Sequence, residues 1–273
     1  MLGGIRTILF QTELEYPPIE DIRITDDQVR ELYNKMCEPG SGHRYENLDL
    51  QGTVRVLSTR RPPGGHSRVE FEGSKIRIEE KNPETTLDGF VTIATTVLRR
   101  MGEWMPKCFI QRCKIQCLAQ PANAENAVVF LANNVANVYE PEKVMVFERP
   151  PSFFGVRFRF VPFQLIRERT AKRMEEAING TKEIPPEERE KTKAEIMDQI
   201  NAIQGEGFVT VRFESHAADV SQVWMEAAAT HLCEAAVTPA NLDIVGKNVT
   251  GTYQFLTDKC KRFLDLFDEP SKN

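Results

Sequence analysis

The sequence predicts an α+β protein: two pseudo-repeats of a strand–helix–antiparallel strands–helix unit, forming one sheet with helices on one face. Three observations predict it. VEFEGSKIRIEE at 69–80 is echoed by VRFESHAADVSQVWMEA at 211–227, each with a Val-x-Phe-Glu followed by apolar-x-apolar-Glu. Val54-Arg55-Val56 and Val156-Arg157-Phe158 precede these stretches in the same order. Each half then closes on a helix following a glycine, Gly89 or Gly251, with a late basic pair, Arg99/Arg100 or Lys261/Arg262. Matches in a fixed order are the mark of an internal repeat. The predicted units are 1–105 and 106–273.

The first strand runs from Ile5 to Glu15, where Tyr16-Pro17-Pro18 ends it. In TDDQVRELYNKMC, Thr25 caps a helix and Gln28 completes a capping box, with Val29, Leu32, Tyr33 and Met36 at helical spacing. After PGSGH, LDLQGTVRVLSTR, SRVEFE and KIRIEE alternate as strands, the last two joined through Gly73-Ser74 as a tight hairpin. TLDGFVTIATTVLRRM sets Leu87, Phe90, Val91, Ala94, Val97, Leu98 and Met101 on one helical stripe.

The second half begins with the strand CFIQRCKIQCLA. Asn123 caps a helix containing Val128, Val129, Leu131, Ala132 and Val135. KVMVFE, FGVRFRFVPF, VTVRFES and VSQVWMEA read as strands, and a final helix carries Leu242, Val245, Val249, Leu256, Phe263, Leu264 and Phe267 on its apolar side. One segment has no counterpart in the first half. RERTAKRMEEAIN and PPEEREKTKAEIMDQINAIQ predict an inserted, charged helical hairpin at 166–204, too long for an ordinary loop.

Composition bounds the function. Of 273 residues, 41% are hydrophobic and 27% charged, as in a globular protein with a full core. No apolar run reaches the roughly 18 residues of a membrane span, and MLGGIRTILFQTE lacks a signal-peptide pattern. The expectation is a cytoplasmic protein without membrane attachment. Six cysteines show no CxxC spacing, so they read as buried free thiols and no metal or cofactor is expected. A net charge of −5 argues against tight non-specific nucleic-acid binding, which draws on neutralised phosphates.

Alternation sorts the strands into a helix-covered face, with Val54, Val56, Val69, Phe71, Ile76, Ile78, Phe158, Val211, Phe213 and Met225, and a free face. The free face interleaves Arg with Glu and carries one Trp. Its candidate partner-binding residues are Arg55, Arg77, Arg157, Arg159, Arg212 and Trp224, since guanidinium groups offer paired donors to carboxylates and phosphates. The competing expectation is a wet ladder of cross-strand Arg–Glu pairs. The loop RRPPGGHSR holds a second candidate: Arg60, Arg61, His66 and Arg68 could grip a phosphate together with backbone amides. Four histidines are available as general bases, and His216 follows Glu214 and Ser215, but no nucleophile turn or oxyanion hole is visible.

The element order resembles the duplicated fold of the TATA-binding protein and its relatives. That family's intercalating phenylalanines have no match on the free face, so the resemblance implies the fold and no DNA binding. Pro17-Pro18-Ile19, FERPPSFFGVRFRF and the late aromatics Phe255, Phe263 and Phe267 resemble a sporadically distributed family of uncharacterised bacterial proteins, which implies no activity.

The expected function is therefore non-catalytic: a binding or adaptor protein that meets a protein partner, or a second copy of itself, through the Arg/Glu/Trp face and the charged hairpin. The alternatives are a nucleic-acid-binding module using the arginines, and a small-ligand binder or hydrolase with a pocket between sheet and helices, beside His216 or His231.

Overall fold

The computed structural model describes residues 2–17, 23–124, 126–137, 152–162 and 207–268. The predicted hairpin at 166–204 and the predicted strand KVMVFE lie outside the described residues. Nine strands form one open sheet: β1 (Arg6–Glu15), β2 (Asn47–Asp49), β3 (Val54–Arg61), β4 (Gly65–Glu72), β5 (Lys75–Lys81), β6 (Cys108–Ala119), β7 (Gly155–Phe160), β8 (Phe208–Ser215) and β9 (Val223–Val237). Their order is β2-β3-β4-β5-β1-β6-β9-β8-β7, and the registered pairs are antiparallel. The α+β class and the antiparallel sheet are as the sequence predicts.

By compactness the chain divides into a larger unit, 1–158 with 210–273, and a smaller one, 159–209. The described part of the smaller unit is the end of β7 and the start of β8. The repeat boundary expected near 105 falls within the larger unit, between its first-half helix and β6.

Among the described residues the α-helices are α1 (Asp26–Cys37), α2 (Leu87–Met101), α3 (Ala127–Val129) and α4 (Asp243–Gln254), followed by α5 (Lys261–Asp265). Local chemistry starts them where the sequence indicates. Thr25 and Gln28 form the capping box of α1, with Asp26 and Asp27 complementing its N-terminal dipole. Thr86 caps α2, and Gly102 at φ 63° ends it in a conformation that suits glycine. For α3 the cap is Asn126, whose side chain accepts from Val129 N, and not the predicted Asn123. Asn123 instead donates its backbone N–H to Asp268, alongside Ala122. A six-residue π-helical segment, Phe255–Cys260, joins α4 to α5.

Cross-strand pairing decides which side of the sheet each helix covers. Phe10 of β1 lies opposite Ile115 of β6 and Glu80 of β5, and its ring stacks on Phe90 of α2 at 5.3 Å, 15° from parallel. Tyr253 of α4 closes on the same ring at 5.9 Å. Following that parity along β6 leads to Gln111, a fully buried amide that pins three elements together. Its Nε2 donates to Thr12 Oγ1 at 3.0 Å and to the Val245 carbonyl at 3.1 Å, while its Oε1 accepts from Asn248 at 2.8 Å. Farther along the sheet, Phe213 of β8 stacks on Phe263 of α5, with Phe158 of β7 edge-on to both. Every one of these contacts lies on one face.

Phe90 has no exposed surface and sits at the centre of this layer. Phe90→Ala should cost roughly 3–5 kcal/mol, since the ring's contacts vanish into a cavity the neighbours fill poorly. Urea unfolding of parent and variant checks this.

Candidate functional site

The other face carries the charged residues. Leu9, Gln11, Glu13 and Glu15 of β1 face it, with Lys75, Arg77 and Glu79 of β5 beside them and Arg112 and Gln116 of β6 across. At its centre Glu13 is only 4% exposed, although it lies on the side away from the described helices. Arg77 reaches it with Nε at 3.0 Å and Nη2 at 2.8 Å, and Lys75 approaches at 3.3 Å. Arg77 also spends Nη1 on Glu70 at 2.7 Å, and Arg68 pairs with the same carboxyl group at 2.8 Å. Arg112 donates Nε to Glu15 at 2.7 Å, and toward β9 Glu226 takes Gln116 Nε2 at 2.8 Å with Arg212 at 3.7 Å.

These pairs are layered. The acid side chains lie low, at 6% exposed for Glu13, 8% for Glu226 and 14% for Glu70, whereas Arg112 is 51%, Arg68 40% and Arg212 39% exposed. Carboxylates lie against the strands and the cations cover them. The surface therefore turns N–H donors outward, even though nearly every charge beneath is matched. The Arg112 hydrogen bond holds the Glu15 carboxyl below its usual range, against the opposing effect of burial, with Lys75 adding to the lowering.

The predicted partner-binding residues do not all share this surface. Arg77 and Arg212 lie on it. Arg77 is hydrogen-bonded to Glu13 and Glu70, whereas Arg212 is 3.7 Å from Glu226, with its Nε buried and making no hydrogen bond among the described residues. Trp224 stands half-buried opposite Leu118 of β6. Arg157 and Arg159 are exposed on β7. Arg55 is a correction. It pairs across the ladder with Phe71, which is buried on the helix side, and its guanidinium bonds Asp26 at the start of α1. Val54 and Val56, expected under the helices, therefore face the open side. The reason is Leu57: VRVL has apolar residues in both parities, and the larger Leu57, wholly buried, takes the core position.

The four residues of the predicted phosphate loop, Arg60, Arg61, His66 and Arg68, do come together. They line one cavity of about 720 Å³ at the β3–β4 turn, with Asp49, Val56, Ser58 and the Pro62–Gly65 turn. This cavity is at the strand ends and not between sheet and helices, where the ligand-pocket reading expected one.

Sequence reasoning missed one cluster on the helix side. His43 Nε2 lies 2.9 Å from Ser67 Oγ, its ring meets Tyr45 edge-on at 4.7 Å, and Arg61 Nη1 bonds Glu80 at 2.7 Å. Ser67, Tyr45 and Glu80 have no exposed surface. Burial pushes the His43 imidazole down, Glu80 pulls it up and Arg61 down again, and burial pushes the Tyr45 phenol up. A hydroxyl bonded to a neutral imidazole is half of a nucleophile–base pair. Ser67, however, is sealed in mid-strand and the acid is committed to Arg61, so the arrangement works as a polar core beneath β4. The only sequence signal for it was two small or polar residues, Gly65 and Ser67, at inward positions of β4.

The histidines named with the hydrolase reading lie apart from this cluster. His231 faces α4, 3.4 Å from Thr252 Oγ1, with burial pushing its imidazole down, and His216 lies at the β8 end near Asp219. Burial also pushes the thiols of Cys108, Cys113 and Cys260 up to about 12 and that of Cys117 to about 11. Among the described residues, no group of three or more His, Cys, Asp or Glu is placed to hold a metal ion, and no helix is long and apolar enough to cross a membrane.

No protein-family model matches the chain, and comparison with curated proteins finds no match either.

Arg112→Met removes the strongest influence on Glu15, so its carboxyl should titrate nearer the ordinary glutamate range. A depressed folded-state value adds stability above the unfolded value, and this is lost as pH falls through the folded one. The variant should therefore lose less stability on acidification than the parent. Carboxyl-carbon NMR titration with parallel unfolding below neutral pH checks both.

Proposed function

We propose that the chain is a non-catalytic binding protein whose open sheet face receives an acceptor-rich, acidic stretch of a protein partner. The layering carries the reading: buried carboxylates fix the arginines in place, so their outward N–H groups are preorganised and lose little entropy on binding. Trp224 and the 68%-exposed Leu232, both on the open side of β9, add the apolar contact a protein partner uses. Nucleic acid fits the same face less well. Its affinity comes from cations that replace condensed counterions, and here the carboxylates beneath already neutralise most of them.

The chain also reads as two copies of one folding unit. Outward from the β1–β6 pair, the strand order is β5, β4, β3 on one side and β9, β8, β7 on the other, which is the order the sequence matches follow. The resemblance to the TATA-binding protein's duplicated fold rests on that order and brings no ligand.

Fluorescence anisotropy with a labelled peptide of alternating Glu and Val tests the face, with a Lys/Val peptide and a single-stranded RNA beside it. The acidic peptide should bind best, and Arg112→Gln with Arg212→Gln should weaken it about tenfold, as loss of charge-assisted hydrogen bonds does. Equal binding of acidic and basic peptides overturns the reading. RNA binding with a steep salt dependence transfers it to nucleic acid. Sedimentation of the chain alone tells whether a second copy is the partner.

A further inference from the structure

We infer that the cavity at the β3–β4 turn is a binding site for a small phosphorylated ligand, gripped by Arg60 and Arg68. Its volume, about 720 Å³, lies in the range of small-molecule sites. Not all its donor side chains are equally available. Arg61 is held by the buried Glu80 at 2.7 Å and His66 by Glu79 at 2.7 Å, so these two are fixed wall groups. Arg68 pairs with Glu70 through Nη2 at 2.8 Å, which leaves its Nε buried and without a hydrogen-bond partner. Arg60 is exposed, and no ion pair is formed by it among the described residues. The fork of Arg60 and the 40%-exposed guanidinium of Arg68 thus line one recess.

The turn itself decides how a ligand would be held. Pro62 and Pro63 carry no N–H, so the backbone cradle expected from the sequence cannot form there, and Gly64 and Gly65 supply the remaining amides. Gly65 is crowded: a Cβ would lie 3.1 Å from the Lys81 carbonyl oxygen and 3.3 Å from that of Arg61, so a larger residue would press on the backbone there. Recognition therefore falls to guanidinium groups, whose planar donors match phosphate oxygens from more than one direction. Asp49, which also lines the cavity and accepts from the Gln51 N–H through Oδ1, would repel a second anionic group but accept from a hydroxyl. The ligand this chemistry suits has one phosphate and a hydroxyl-bearing body.

The inference does not rest on the proposed partner face. Proton–nitrogen NMR of the whole chain, titrated with inorganic phosphate, reads it through the Gly64 and Gly65 amides, with potassium chloride at matched ionic strength as the control. Saturable shifts should appear with phosphate only. Arg60→Gln should weaken binding about tenfold, and Arg60→Lys, which keeps the charge and loses the fork, should fall between. Arg212→Gln should leave phosphate binding unchanged while weakening the acidic peptide, which separates the two readings. Shifts reproduced by chloride, or an unaltered affinity in Arg60→Gln, overturn the inference.

Discussion

The antiparallel seam between β1 and β6 is the constraint on which the remaining architecture depends. Paired residues run along it from Arg6 opposite Leu118 to Glu15 opposite Ile110. On one side β1 receives β5, and on the other β6 receives β9, so both seam strands are saturated, and among the described residues the sheet's edges are β2 and β7. The seam also fixes parity. Once Phe10 points at α2, Thr12 and Gln111 must point the same way, and Glu13 and Arg112 must point the other. A shift of one residue would put Glu13 into the aromatic layer and Phe10 among the arginines.

The two faces handle charge differently because of this. Beneath the helices Gln111 is tied to Thr12, Val245 and Asn248, and Glu80 to Arg61 through one oxygen, while the Tyr45 hydroxyl is buried without a hydrogen-bond partner among the described residues. On the open face the carboxylates are sunk between strands and bridged by cations, Glu13 by Arg77 and Lys75 of β5 on one side and, at 4.0 Å, by Arg112 of β6 on the other. Single exposed ion pairs contribute little, but Arg77 holds two carboxylates from two different strands and so ties β4, β5 and β1 together through side chains as well as through the ladder.

Much of this was legible in the sequence and some was not. The capping box at Thr25, the Gly73-Ser74 turn and the stripe of α2 follow from local rules, and local rules were obeyed. The parity of β3 was misread because VRVL is apolar in both registers, and only the neighbouring strand and the bulk of Leu57 break the tie. The His43–Ser67 contact joins residues 24 positions apart through a loop whose path no periodicity encodes. The loop RRPPGGHSR was recognisable as a cluster of donor side chains, but not that two of the four, Arg61 and His66, would be tied up by Glu80 and Glu79 on the next strand.

The thiols have a practical meaning. Four of the six cysteines are buried in the helix-side layer, and burial holds them as uncharged sulfhydryls far above neutrality. Since the thiolate is the attacking species, alkylating reagents will find only Cys37, at the close of α1, and Cys233, on β9, within reach. Those two positions offer natural handles for a spectroscopic label, on opposite arms of the seam, with the interior left chemically silent.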